Sequence, residues 1–336
     1  MTARATVAAM TAYTLELREA EVKLNQNESP YDFPLKAEAL APLLERPWNV
    51  YPDFESTTLR SALAKAYGFS PENILVGNGS NELLAAAIGA FVGPGTPVIF
   101  PRPTFTLYEK LVTIAGGIPL PVDFDPATGL LPLEAMLRTL STLEGAVVIV
   151  CSPNNPTGSV LAEDGLQPLL ATGATVLFDR AYGDFANDAL PPLDDRLVTF
   201  STFSKAWGLA ALRVGWLAST AATCREIRKV KLPYSLNVIS ESIAALALEQ
   251  RAIRDANVAR VIAERERVIA AMQRIPRITL FPTRANFILF RTRATFEDFF
   301  ERGILIRKTP LDGCLRVSIG TREQNDRFLA ALESLS

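Results

Sequence analysis

Short apolar runs punctuate the first two thirds of the chain: Ile74-Leu75-Val76, Pro97 to Phe100, Ala146 to Val150, Thr175 to Phe178, Leu197 to Ser201 and Val214 to Ala218. Their lengths and β-branched content predict buried strands. Among the intervening stretches, Thr57 to Tyr67 reads as an amphipathic helix stopped by Gly68, and Leu83 to Val92 as another helix. Leu35 to Leu44 has the length of a short helix ending before Pro47. Apolar strands separated mostly by helical lengths predict an α/β fold, a sheet with helices on both faces.

After Pro233 the texture changes. Val238 to Met272 contains no Gly or Pro, so it predicts one long helix or two abutting ones, ended by Pro276. Asn286 to Phe290, Ile304 to Arg307 and Leu315 to Ile319 read as strands, and Phe296 to Glu301 and Glu323 to Leu335 as helices. This α+β pattern predicts a smaller domain, 236–336, that the N-terminal segment 1–47 joins, beside a large domain at 48–235.

The polar residues are placed as informatively as the apolar ones. Ser80, Phe105, Asn155, Asp179 and Lys205 each lie just beyond a strand end, where open α/β sheets bind ligands. Gly77-Asn78-Gly79-Ser80-Asn81-Glu82 joins a strand to a helix start, an arrangement that presents backbone N–H groups to an anion. The same residues also read as an ordinary turn with Ser80 or Asn81 capping the helix. Lys205 follows a buried strand, where burial lowers an amine's pKa and makes it nucleophilic, although a lone lysine there also reads as a solvated loop residue.

Composition narrows the chemistry. The chain has 336 residues, 49% hydrophobic and 21% charged, with a net charge of −2, so no basic surplus points to nucleic acid or an anionic membrane. Met1 to Ala12 lacks the apolar core of a signal peptide, and no run approaches the roughly 18 apolar residues of a membrane span. Cys151, Cys224 and Cys314 are far apart and odd in number, which predicts neither disulfides nor zinc and fits a reducing cytoplasm. There is no histidine. Ser-His-Asp and Cys-His catalysis and His-ligated metals are therefore excluded, no metal is expected, and proton transfers fall to Lys, Asp, Glu, Tyr or a cofactor.

A lysine, a buried aspartate, an asparagine, a tyrosine, an aromatic platform and a phosphate cradle are together what pyridoxal 5'-phosphate uses. From Leu24 to Leu335 the sequence resembles the fold-type I aminotransferases, most closely the histidinol-phosphate aminotransferase family. The resemblance is carried by Asn25-Gln26-Asn27-Glu28, Tyr51-Pro52-Asp53, Gly77 to Glu82, Pro103-Thr104-Phe105, Pro153 to Gly158, Asp179 with Tyr182, Thr202 to Lys205 with Arg213, and Leu315-Arg316. It implies a large domain with a mostly parallel, seven-stranded-type sheet sandwiched by helices, and a smaller α+β domain.

By that resemblance Lys205 is the Schiff-base lysine and proton shuttle, and Asp179 pairs with the cofactor's pyridine nitrogen. Asn155 and Tyr182 hold the ring oxygen, and Phe105 stacks on the ring, with Tyr108 the alternative. Gly79, Ser80, Asn81, Thr202, Ser204 and Arg213 form the phosphate cup. Tyr51 matches a tyrosine that reaches the neighbouring subunit's cofactor, which implies a homodimer. Arg316 matches the arginine that grips the substrate carboxylate, and Arg307 a second anion-binding arginine, serving a phosphorylated amine and glutamate or 2-oxoglutarate in turn.

Departures from the family pattern are Arg180 where Glu is usual, Ala211 where Gly is usual, and Trp216 in place of Tyr or Phe. Related aminotransferases for aromatic or other amino acids, and threonine-phosphate decarboxylase, share the fold and stand as alternatives. A non-catalytic cofactor-binding regulatory module is an alternative of another class, against which the intact Lys205 argues.

Overall fold

The computed structural model describes residues 2–12 and 18–336, and the first strand among them is the two-residue β1 (Val22–Lys23). Met1 and residues 13–17, part of the N-terminal segment expected to join the smaller domain, lie outside the described residues. Seven strands then build the central sheet: β2 (Ile74–Asn78), β3 (Pro97–Arg102), β4 (Ile118–Asp123), β5 (Val147–Cys151), β6 (Thr175–Asp179), β7 (Leu197–Thr202) and β8 (Val214–Ala218). Their order is β2-β8-β7-β6-β5-β3-β4, with β8 antiparallel to both neighbours and every other pair parallel.

The parallel centre explains the uninterrupted apolar runs. Every residue of β5, β7 and β8 is buried, as a sheet covered on both faces requires. The antiparallel β8 follows from its connection. The link from β7 is too short for a crossover helix, so the chain must turn back beside the strand it has just left. That link, with Phe203 N–H donating to Val214 O at 3.0 Å, carries Lys205.

β4 was not among the expected strands. Its sequence, Ile-Pro-Leu-Pro-Val-Asp, alternates two prolines that cannot donate to a ladder, and none of its residues is fully buried. Both facts suit its place at the edge of the sheet, where proline is tolerated. The Thr57–Tyr67 helix has the expected bounds and ends on Gly68 at φ 75°. Helix Ser80–Phe91 starts three residues earlier than the apolar pattern suggested, with Gly79 rather than Ser80 or Asn81 at its N-cap.

Beyond Pro233, the long Gly- and Pro-free stretch is two helices, Val238–Glu249 and Arg251–Met272, broken at Gln250. The remaining strands are β9 (Thr279–Leu280), β10 (Phe287–Arg291), β11 (Ile304–Leu305), β12 (Arg307–Lys308) and β13 (Cys314–Ser318). The run expected as one strand from Ile304 to Arg307 divides at Ile306 between two sheets. β11 pairs in parallel with β1, and β12 joins the antiparallel sheet β12-β13-β10-β9. Ser318 N–H donates to Leu24 O at 2.9 Å, fastening the N-terminal segment to β13 as well. This stitching brings Asn25, Gln26 and Asn27 over the ends of the central strands.

Candidate active site

The C-terminal ends of the parallel strands and the N-terminal segment enclose a cavity of about 330 Å³. Ser80, Asn81, Phe105, Asn155, Asp179 and Tyr182 line it from the ends of four different strands, as the strand-end pattern suggested. Thr202, Ser204, Lys205 and Arg213 line it from the β7–β8 link, and Arg307 and Arg316 from the antiparallel sheet. Of the fourteen site residues read from the sequence, Tyr51 and Gly79 are the two that do not line this cavity.

Lys205 stands at its centre. Its Nζ donates to Gln26 O at 2.8 Å and lies 5.9 Å from the centre of the Tyr182 ring. Burial, followed by the charge of Arg316, lowers the ammonium from the ordinary lysine value to about 8. The free amine, which is what a nucleophile or a proton acceptor needs, is thus a minor form at neutral pH and a large share at mildly basic pH. Gly208 makes the approach of the N-terminal segment possible: it adopts φ 68°, and a Cβ there would come 2.8 Å from Tyr31 O.

At one end of the cavity is a donor-rich cup. Arg213, itself in the left-handed region at φ 56°, turns its guanidinium back so that Nη1 donates to Ser204 Oγ at 3.1 Å. Ser204 N–H donates to Thr202 Oγ1 at 3.1 Å. Facing them is the N-terminus of the Ser80–Phe91 helix, whose free N–H groups and dipole favour an anion. Two glycines let these parts meet. Gly79 adopts φ 79°, where a Cβ would also press on Arg213 Nη2 at 2.7 Å, and a Cβ on Gly215 would sit 2.1 Å from Ser80 N, so Gly215 has no room for a side chain.

Gly215→Ala is therefore expected to push the helix start out of the cup. Such overpacking costs about 1–3 kcal/mol. Thermal unfolding should show a lower Tm, and an equilibrium titration of a phosphate-bearing ligand should show affinity falling about tenfold or more.

At the other end lies Asp179, buried on the last residue of β6. Its Oδ1 accepts from Ala181 N–H at 2.9 Å and its Oδ2 from the Tyr108 hydroxyl at 2.7 Å. It makes no ion pair among the described residues. Burial raises its pKa, and these two hydrogen bonds oppose the rise. This contact sets Tyr108 apart from Phe105. Tyr108 is fully buried and spent on Asp179, whereas Phe105 is partly exposed, stands edge-on to it (5.6 Å, 87°) and is the ring free to present a face.

Tyr182 accepts from Asn27 Nδ2 at 3.1 Å, and burial pushes its phenol up to about 12, so it keeps its proton. Asn155 Oδ1 accepts from Arg316 Nη1, and Asn25 O accepts from Arg316 Nη2 at 2.7 Å. Arg307 and Arg316 are directly opposed across the β12–β13 pair. Like charges opposite one another on a sheet repel, so holding both beside a cavity favours an anion between them.

Tyr51 is 75% exposed and stacks on Tyr234 at 4.7 Å, outside the cavity. Among the departures, Arg180 turns away and donates to Asp188 O at 2.6 Å, and Trp216 is buried against Tyr67 at 4.7 Å, so neither lines the cavity. Ala211 lines a neighbouring cavity of about 430 Å³ with Gln26 and Ser204.

The sequence reading gave no role to Gln26, Asn27, Tyr108 as a donor, or Gly215. Asn27 and Gln26 lay in a polar stretch already singled out. Gly215 carried no local signal, because its partner is 135 residues away in the chain.

Comparison with known proteins agrees with this arrangement. Residues 19–332 match the family described as aminotransferase class I and II. Histidinol-phosphate aminotransferase 2 of Nitrosococcus oceani is 36% identical, covering 97% of this chain and 94% of that protein. The histidinol-phosphate aminotransferase of Chlorobaculum tepidum is 34% identical, covering 95% of each. Among solved structures, the histidinol-phosphate aminotransferase of Sinorhizobium meliloti in complex with pyridoxal-5'-phosphate superposes with a TM-score of 0.87 at 26% identity, over 99% of this chain and 96% of that one.

Proposed function

The chain belongs to the class I and II aminotransferase family, and from that membership we propose that it is a histidinol-phosphate transaminase. It would exchange an amino group between L-histidinol phosphate and 2-oxoglutarate, giving imidazole acetol phosphate and L-glutamate. The observation that carries the substrate assignment is the pair Arg307 and Arg316, opposed across two strands and lining the cavity that holds Lys205.

Pyridoxal phosphate fits the residues present. The cup of Ser80, Asn81, Thr202, Ser204 and Arg213 suits its phosphate, and the helix start at Ser80 can form one wall of it because Gly215, packed against that start, has no Cβ. Asp179, a buried carboxylate with no ion pair among the described residues, suits a protonated ring nitrogen. Asn155, whose oxygen is taken by Arg316, keeps its Nδ2 donor for the ring oxygen, with the protonated Tyr182 as a second donor. Phe105 would cover the ring face. When bound, the cofactor supplies an aldehyde carbon that condenses with amines and a ring that accepts the electron pair released at the substrate Cα.

The protein's own part is positioning and proton transfer. Lys205 Nζ would hold the cofactor covalently, then, displaced by the substrate amine, remain within reach as the base that takes the Cα proton and returns it. With no histidine in the chain, no imidazole competes for that task. Arg316 would take the glutamate carboxylate and, with Arg307, the phosphate of histidinol phosphate, so both half-reactions would use one anion site.

A division into a large domain, 48–235, and a smaller one from 1–47 and 236–336 suits this chemistry, since it puts the cofactor groups in one and the arginine pair in the other. A homodimer accounts for Tyr51, which stacks with Tyr234, itself edge-on to Phe54, so that three exposed aromatic rings cluster at the surface. A cytoplasmic site suits three cysteines that are all free. Among the described residues no helix is long and apolar enough to cross a membrane.

Purified protein supplied with pyridoxal phosphate should form glutamate from histidinol phosphate and 2-oxoglutarate faster than from phenylalanine or tyrosine. Preference for an aromatic amino acid, or release of CO2 from threonine phosphate without amine exchange, would overturn the substrate assignment.

A further inference from the structure

Tyr108 does something that neither the cavity's shape nor a stacking role requires. It lies in the first turn of the Leu107–Ala115 helix, fully buried, and its hydroxyl donates to Asp179 Oδ2 at 2.7 Å. Ala181 N–H occupies the other carboxylate oxygen at 2.9 Å. With one donor on each oxygen, the carboxyl group cannot rotate without breaking a buried hydrogen bond, and no bulk water reaches the phenol's position to replace it.

We propose that Tyr108 is a positioning residue that acts through Asp179, orienting its carboxylate toward a protonated heteroaromatic nitrogen in the cavity and keeping the proton on that nitrogen. This rests on the pyridoxal phosphate reading above.

The surroundings of Asp179 support it. The groups facing the carboxylate are Tyr108 from its helix, Cys151 from the opposed end of β5, and Tyr182 from the loop after β6. All three are weak acids that burial holds in their protonated forms. Cys151 Sγ donates elsewhere, to Pro153 O at 3.2 Å. Among the described residues no lysine or arginine pairs with Asp179. The charge on the carboxylate is thus stabilised by two hydrogen bonds, and Tyr108 supplies the only one from a side chain among the described residues.

Removing the hydroxyl makes Asp179 more basic. The sign of the consequence follows: a more basic carboxylate draws the proton off the ring nitrogen and onto itself, leaving a neutral acid against a neutral pyridine. A hydrogen bond to a charged group shifts such an equilibrium by about tenfold or more, roughly one pH unit.

The test uses the full-length protein loaded with pyridoxal phosphate carrying 15N at the ring nitrogen. In the wild type the 15N resonance should be that of a protonated nitrogen. In Tyr108→Phe it should move toward the unprotonated position, with the protonation midpoint changed by about tenfold. Affinity for an analogue with C–H in place of the ring nitrogen should be the same in both proteins. In an Asp179→Asn background the second substitution should change neither reading, and a change there would contradict an action through Asp179.

An unchanged 15N resonance in Tyr108→Phe would overturn the proposal. So would equal loss of affinity for both cofactors, since that marks Tyr108 as packing alone. Failure of the wild type to take up pyridoxal phosphate would strike the functional reading itself, and this inference with it.

Discussion

Replacing Lys205 by alanine is expected to lower transamination by about 10⁴-fold or more, because one side chain is asked to do two jobs. It would anchor the cofactor covalently and move the Cα proton, and general acid–base catalysis alone contributes typically 10²–10⁴-fold. The geometry offers no deputy. Lys205 Nζ sits between Gln26 O and the Tyr182 ring, and Tyr182, held protonated by burial, is a poor base. Steady-state assays with histidinol phosphate would measure the loss, and binding of pyridoxal phosphate by dialysis would show that the cup still takes its phosphate.

The lowered ammonium adds a pH signature. Because the folded-state value is about 8, the fraction of free amine rises through that pH. The rate at which ligand-free protein combines with pyridoxal phosphate should rise with pH and level off above about 8. A rate flat from pH 6 to 9 would contradict it.

Loss of the arginine pair should be nearly as damaging, but in a different kinetic parameter. Arg307→Ala removes a half-buried guanidinium that makes no ion pair among the described residues, so little is left uncompensated when it goes. The expected result is a rise in KM for histidinol phosphate of about 10- to 100-fold, with kcat changed much less. Arg316 is 6% exposed and joins Asn155 to the Asn25 carbonyl, so Arg316→Ala loosens the cofactor's neighbour as well as the substrate site. For that variant kcat/KM should fall a hundredfold or more for both glutamate and histidinol phosphate. Arg316→Lys should recover only part, since an ammonium cannot make the forked contact. Unchanged KM values for both substrates in Arg316→Lys would refute a shared anion site.

Most of the cavity was legible in the sequence because its chemistry is written in residue types at strand ends. Asp179, Asn155 and Lys205 each follow an apolar run that could only be a buried strand, and a parallel sheet must bring such ends to one side. What was not legible depends on long-range contact. β4 escaped because its prolines argue against a strand unless the edge position is already known. Gly215 looks like any glycine until the Ser80–Phe91 helix is placed against it. Tyr108 and Phe105, three residues apart, were equivalent as aromatic platforms, and only the depth of the helix separates the one bonded to Asp179 from the one at the surface of the cavity. Asn27 sat in a polar stretch whose folding over the strand ends is decided by its attachment to β13, more than 290 residues further on.

The most direct measurement treats the two half-reactions separately. Protein loaded with pyridoxal phosphate is mixed with glutamate alone, and the product and the cofactor's visible absorption are followed together. The expected result is one equivalent of 2-oxoglutarate per site with loss of the visible band. Adding imidazole acetol phosphate should then yield one equivalent of histidinol phosphate and restore the band. Absence of stoichiometric 2-oxoglutarate, or a band that imidazole acetol phosphate does not restore, would contradict an amino group passing through this cavity between those substrates.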